Sequence, residues 1–423
     1  MLVIVSFRTL PRECGDAHPN LTSLNLVTSK PAILPFAAVV AWCLAAAFPL
    51  SAEGQLVWLG TYTRGKSDSE GIYLSRLDPA SGELSPPRLA ARAENPGFLA
   101  RHPSRPLLYA VSEVSDAGGG RQGVVAAFAI RPDGSLEALG SQPSGGGGPC
   151  HLDVDPGGRC VAAANYGGGS SVALGIAENG SLRPAVDGGA GGRGLLVHPP
   201  RHESPAGIVP RRQEAPHAHC ATIAADGRFV LVADLGLDRV FAHRLDAAAA
   251  TLELAASKEL AAGSGPRHVA FSRDGRRLYV VNELNLTVTG CNYDPASGRL
   301  EAFQTISTLP DGLGDALGLS TAEIAVHPSG RFLYASNRGH DSLACFAIDA
   351  ESGRLDRLEV AALGVKTPRS FAIAPGGRWL LAAGQNSDNV AIFRIDAGGR
   401  IKATGRSIKV PRPVCVCFDL PAP

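Results

Sequence analysis

Two kinds of position in this 423-residue chain carry side chains suited to acid–base chemistry on an anion. His217, His219, Arg267, His268, Glu323 and Arg369 stand at the starts of short apolar runs, as in Pro266-Arg267-His268 and Pro368-Arg369. Glu113, Asn165, Asp234, Glu283, Arg338 and Asn386 stand at the ends of other such runs. Imidazole and carboxylate groups exchange protons near neutral pH, and guanidinium offers a fixed fork of donors to a carboxylate, a phosphate or a developing oxyanion. Each type also has a plain structural use. Asp234 and Asn386 suit the binding of turn backbone, Arg369 suits an ion pair, and His217 and His219, two apart on a strand, point the same way and suit a satisfied core pair. Glu283 is harder to account for in this way, since it ends an apolar run and meets arginines. Gathering a carboxylate, imidazoles and guanidiniums around one cavity is costly unless they do chemistry. No Gly-x-Ser-x-Gly elbow is present, so no acyl-serine intermediate is expected.

Such residues act together only if the chain folds them together, and a repeat beginning near residue 55 supplies the means. A turn of the type Asp-Pro-Ala-Ser-Gly-x-Leu recurs seven times, at 78–84, 132–136, 178–182, 246–252, 294–300, 349–355 and 396–401. An alternating strand precedes each turn, as in Gly71-Ile-Tyr-Leu-Ser-Arg-Leu77. A second strand type, such as Leu278-Tyr-Val-Val-Asn282, and a third that follows a Gly-Pro-like start, such as Pro266-Arg-His-Val-Ala270, also occur seven times each. The first copy of the second type, at Leu56, has no third-type strand before it, and the last third-type strand, at Val414, has no partner after it. Pairing those two closes a ring. The expected fold is all-β, a seven-bladed β-propeller closed by its N- and C-terminal strands, over residues 53–423. In such a blade the starts of third-type strands and the ends of second-type strands open on one face near the axis. The widest gap between turn leucines holds Gly188 to Arg212, read as a long functional loop.

Composition agrees with this reading: 50 Gly, 31 Pro and 6% aromatic residues suit many short strands and tight turns. A formal net charge of +1 gives no global field toward nucleic acid or an anionic membrane. Residues 1–52 form a separate N-terminal extension. Lys30, the apolar stretch that follows and the small-residue end at Ser51-Ala52 have the layout of a secretory signal peptide, while Pro35 and Pro49 interrupt the run below the length of a membrane span. Export is expected, with no membrane span left after processing. The remaining seven cysteines are an odd set within apolar runs and read as buried free thiols.

Taken with their neighbours, these residues resemble the 6-phosphogluconolactonase-like lactonase family, which includes the fungal carboxymuconate cyclase. The resemblance runs from Gly60-Thr-Tyr-Thr63 through Asn165-Tyr-Gly167, Gln213-Glu-Ala-Pro-His-Ala-His219, Gly265-Pro-Arg-His268, Asn282-Glu283 and Ser336-Asn-Arg-Gly-His-Asp341 to Asn386-Ser-Asp-Asn389. It implies hydrolysis of a sugar-acid lactone by a carboxylic ester hydrolase, with active-site roles on His219, Arg267, Glu283 and Arg338. The mechanism expected on that basis has Glu283 or His219 as general base and Arg267 polarising the carbonyl. Arg338 and Arg369 would grip the substrate's anionic group, with His217, His268, Glu323, Asn165 and Asn386 as further binding residues. The substrate is then a small anionic lactone, and no cofactor or metal is called for. A muconate-type lactone cycloisomerase, a calcium-dependent propeller lactonase and a non-enzymatic propeller that presents its rim to proteins are the alternatives. Cations at Arg267, Arg338 and Arg369 count against calcium.

Overall fold

The second strand of each repeat is apolar at nearly every position; Phe229–Asp234 and Trp379–Gly384 are buried from end to end. A strand with no polar face must be covered on both sides. In the computed structural model of the chain this is achieved by seven four-stranded antiparallel sheets, each packed against the next. The structure describes residues 54–114, 123–187, 193–200, 209–313 and 318–419. The signal-like segment therefore lies outside the described residues. Among those that are described there is no helix, and so none long and apolar enough to cross a membrane.

The ring closes as the sequence predicts. Pro413–Phe418 pairs with Gln55–Thr61 and becomes the innermost strand of the first blade. Each of seven hydrophobic clusters fills one gap between neighbouring blades, and the one built from Val57, Leu59, Leu381 and Ala383 joins the first blade to the last. Burial of a Val or Leu side chain is worth about 1.5–3 kcal/mol, so aliphatic wedges suffice and the low aromatic content is no handicap. The few large rings latch the blades instead. Tyr109, Tyr279 and Tyr334, near the starts of second strands, donate their hydroxyls to Gly180, Gly353 and Gly399 carbonyls in the turn of the next blade. Trp58 Nε1 does the same to Gly134, and Trp379 Nε1 to Pro79 across the closure.

Two features go beyond the sequence reading. Each blade has a fourth, outer strand, which in six of them starts near the turn leucine, as in Leu300–Ser307, with few residues buried. The stretch from Gly188 to Arg212 is accordingly not all loop, because Leu195–Val197 pairs with Ser170–Gly175 as the outer strand of the third blade. The second feature sets up the site. Every innermost strand has an irregular register near its start: between Pro96 and Phe98, Pro149 and His151, Ala218 and Cys220, Pro266 and His268, Thr321 and Ile324, Pro368 and Ser370, and opposite Gly60/Thr61 in the closing strand. A bulge breaks the two-residue alternation and re-aims the extra side chain.

Candidate active site

The residues left unpaired by these bulges include Gly97, Cys150, His219, Arg267 and Arg369, and they form one ring at the axis. A second ring stands one residue past the second strands, where the chain leaves the sheet: Tyr62, Glu113, Tyr166, Glu283 and, at the equivalent place in its blade, Arg338. Between the rings lies a cavity of about 180 Å³ lined by Glu113, Cys150, Tyr166, Arg212, His219, Glu283, Arg338 and Arg369.

Glu283 is the hub. Its Oε1 accepts from Arg212 Nη2 at 2.5 Å, and its Oε2 lies 2.9 Å from Arg338 Nη2 and 3.0 Å from Arg267 Nε. The Arg267 contact is a close ion pair whose N–H is not aimed at the oxygen. Burial on its own raises the carboxyl pKa, but Arg338, Arg267 and Arg212 outweigh it and lower the group to about 2. Both oxygens are thus engaged by cations, and the carboxylate is a feeble base. Arg338 is also tied to its own blade by Nη2 donating to Thr321 O at 2.7 Å.

His219 differs. Burial first, then the charge of Arg267, holds its imidazole well below the usual histidine range, so it is neutral at physiological pH. Its ring meets Tyr166 edge-on at 5.4 Å between centroids, and His217 stacks flat against the same tyrosine at 4.5 Å and 12°. Cys150 Sγ sits 3.7 Å from His219 Nδ1. A Cys–His contact can mark a nucleophile, but burial pushes this thiol far up, so the sulfur stays protonated and serves as wall.

Of the residues expected from sequence, His219, Glu283, Arg338 and Arg369 line the cavity. Arg267 does not; it is 2% exposed and lies behind the wall, with Nη1 donating to Ala322 O at 2.7 Å and contacting His268 Nε2 at 3.2 Å. His268 and Glu323 are placed farther back still, joined by a 2.8 Å contact between Nδ1 and Oε1. Burial raises Glu323 to about 7 and, with the Arg267 charge, pushes His268 well down, so this is a proton-sharing pair that backs Arg267 and does not line the cavity. The bulge also corrects the expectation that His217 and His219 share a face: His219 turns to the axis, while His217 buttresses Tyr166, with Nδ1 3.0 Å from the Tyr166 carbonyl. Asn165 and Asn386 do not line the cavity. Asn165 Nδ2 donates to Ser144 O and Ser170 Oγ within its blade end, and Asn386 Nδ2 donates to Thr367 Oγ1 on the exposed rim. Asp234 follows its structural reading, with Oδ1 accepting from His217 N and Leu237 N, although its Oδ2 also holds His198 at 2.6 Å.

Arg212, Tyr166 and Cys150 line the cavity without having stood out in the sequence, and Glu113, noted there as a strand-end carboxylate but given no role, lines it too. The clearest signal available was positional: the residue after the proline that opens an inner strand, and the residue just past a second strand.

The model of the seven-bladed β-propeller lactonase family matches residues 56–418. The chain belongs to that family. Among its relatives, a 6-phosphogluconolactonase of Bacillus subtilis (strain 168) is 34% identical over 364 residues, covering 85% of this chain and 97% of the relative. A 6-phosphogluconolactonase of Formosa agariphila is 30% identical over 329 residues, covering 75% and 85%. The solved periplasmic gluconolactonase of Pseudomonas aeruginosa superposes with a TM-score of 0.77 at 32% identity, covering 86% of this chain and 98% of that one.

Proposed function

We propose that this family member hydrolyses the lactone of a sugar acid in the axial cavity, with His219 as general base and the arginines as electrophiles and anion holders. The observation that carries the reading is the convergence of Arg212 and Arg338, with Arg267 behind them, on Glu283, beside a neutral imidazole in the same cavity. Three guanidiniums, Arg212, Arg338 and Arg369, line the cavity against two carboxylates, Glu113 and Glu283, so the lining carries net positive charge and favours an anionic substrate.

Hydrolysis then proceeds in steps that these residues supply. The imidazole of His219 takes a proton from water as its oxygen bonds to the lactone carbonyl carbon. Guanidinium donors stabilise the negative charge that develops on the carbonyl oxygen. The ring C–O bond breaks, and the imidazolium returns its proton to the leaving alkoxide, which gives the open hydroxy acid. Glu283 acts by holding the arginines in place, since both of its oxygens are already engaged by guanidiniums. The names of the Bacillus and Formosa relatives make 6-phosphogluconolactone the first substrate to try. Opening of glucono-, phosphoglucono- and muconolactones by the purified protein should be fastest with a sugar-acid lactone; no acceleration of any of them sinks the proposal.

The Lys30–Ala52 layout supports export as part of this reading. The mature protein recovered from its host should begin near residue 53, and an N-terminus at Met1 would count against export.

A further inference from the structure

The cavity has two halves of different chemistry. On the Glu283 side every carboxylate oxygen is occupied by guanidinium, as described above. On the other side Glu113 has one oxygen engaged and one open. Its Oε2 accepts from Tyr62 OH at 2.6 Å, while its Oε1 accepts no hydrogen bond from the described residues and has only a 3.7 Å ion-pair contact with Arg369 Nη2. The carboxylate is partly exposed and lines the cavity.

A second observation shows that this half is built. At the bulge position where other blades carry Cys150, His219, Arg267 and Arg369, the second blade has Gly97. A Cβ there would stand 2.7 Å from Glu113 Oε2 and 3.6 Å from the Tyr62 ring. The missing side chain is what admits Glu113 and Tyr62 to the axis. Tyr62 is in turn fixed by the guanidiniums of Arg369 and Arg412, 5.3 and 5.8 Å from its ring centre.

An open carboxylate oxygen in a cavity meant for an anion repels the ligand unless the ligand brings hydroxyl donors to it. We propose that Glu113 reads the hydroxyl groups of a polyhydroxylated lactone ring, accepting a hydrogen bond through Oε1, and so sets the preference for sugar lactones over lactones without those hydroxyls. The inference rests on the lactonase reading above. A site that presents a charged acceptor to a hydroxyl penalises the analogue that lacks it, because the acceptor is then desolvated without a partner.

The test uses the full chain with 6-phosphogluconolactone and its 2-deoxy, 3-deoxy and 4-deoxy counterparts, comparing the unaltered protein with Glu113→Gln. The unaltered protein should disfavour at least one deoxy lactone by on the order of tenfold to a hundredfold in kcat/KM. Glu113→Gln should lose a similar factor on the parent lactone and change by less than about twofold on that deoxy analogue. Glu113→Asp, which keeps the charge but withdraws the oxygen, carries the same expectation if the Gln variant does not fold. An equal fall on parent and analogue, or no fall on either, overturns the inference while the lactonase reading stands. Failure of the unaltered protein to open any of the lactones removes both.

Discussion

At the end of the propeller where third and outer strands turn, Asp294 and Asp349 are satisfied by their own turns. Ser297 Oγ donates to Asp294 and Ser352 Oγ to Asp349 at 2.6 Å, with backbone amides of Ala296 and Ser352 adding to each. The serine hydroxyls, then the amides, hold these carboxyls below the usual range although both are open to solvent. At the axial end Glu283 is held low by a different means, through arginines that arrive from the connection into the fourth blade, from its own blade and from the next. One end satisfies its charges within six residues, the other across 71 residues of chain in the case of Arg212. The local solution can be repeated in every blade without harm; the non-local one depends on the packing of neighbouring blades that brings Arg212, Arg267 and Arg338 to Glu283.

The axial cluster is most vulnerable at Glu283. Glu283→Ala leaves buried guanidiniums without their shared counter-charge and should lower stability by about 3–5 kcal/mol, with loss of lactone opening. Asp294→Ala, by contrast, should leave Tm within about two degrees. Thermal unfolding and initial rates of the two variants check this, and equal effects would erase the distinction. His219→Gln should next reduce kcat by about 10²–10⁴ with little change in Tm. In the unaltered enzyme, because the histidine pKa is lowered, the neutral form persists as pH falls, so no loss of rate from this group is expected near pH 6.5. A pH–rate profile with a histidine inflection at 6.5 that vanishes in His219→Gln contradicts that electrostatic account.

Smaller effects separate the blade latches from the site. Tyr279→Phe removes the hydroxyl donated to Gly353 O at 2.8 Å and should cost about 1 kcal/mol by denaturant titration with unchanged kcat/KM. Glu323→Gln sharpens the role of the buried pair behind Arg267. Its folded pKa of about 7 lies above the 4.5 of an unperturbed glutamate, so its contribution to stability is full below pH 4.5 and is lost as pH rises through 7. The Gln variant should therefore show a smaller fall in Tm than the unaltered protein between pH 5 and pH 8, by a degree or two. Parallel Tm curves would place the titration elsewhere.

How much of this was legible beforehand follows from the same contrast. The Asp-Pro-Ala-Ser-Gly turns and the apolar second strands are local, so the seven blades and the Leu56–Val414 closure could be read directly. Outer strands such as Leu300–Ser307 were not, because only parts of them touch a core and their pattern is mostly polar. His219, Arg267, Glu283 and Arg338 stood out by type and position. Arg212 did not, since it lies in an aperiodic insertion and acts 71 residues away. Asn165 is the strand-end residue that alternation points to the axis, whereas Tyr166, one residue past the strand, lines the cavity; Asn386 lies two residues past Trp379–Gly384 and stays on the rim. His217 was paired with His219 for the same reason. Alternation held until the bulge, and the bulge is where the site begins.

The arginine-clamped axial cavity is proposed to open sugar-acid lactones. Acid release from 6-phosphogluconolactone, followed by pH-stat at pH 6.5 with the unaltered full chain and with Arg338→Ala, tests it most directly. Acceleration many-fold over the spontaneous reaction by the first, and its near-complete loss in the second while that variant still unfolds cooperatively, is the predicted result. Rates equal to the uncatalysed reaction in the unaltered protein, or identical acceleration by both proteins, would contradict it.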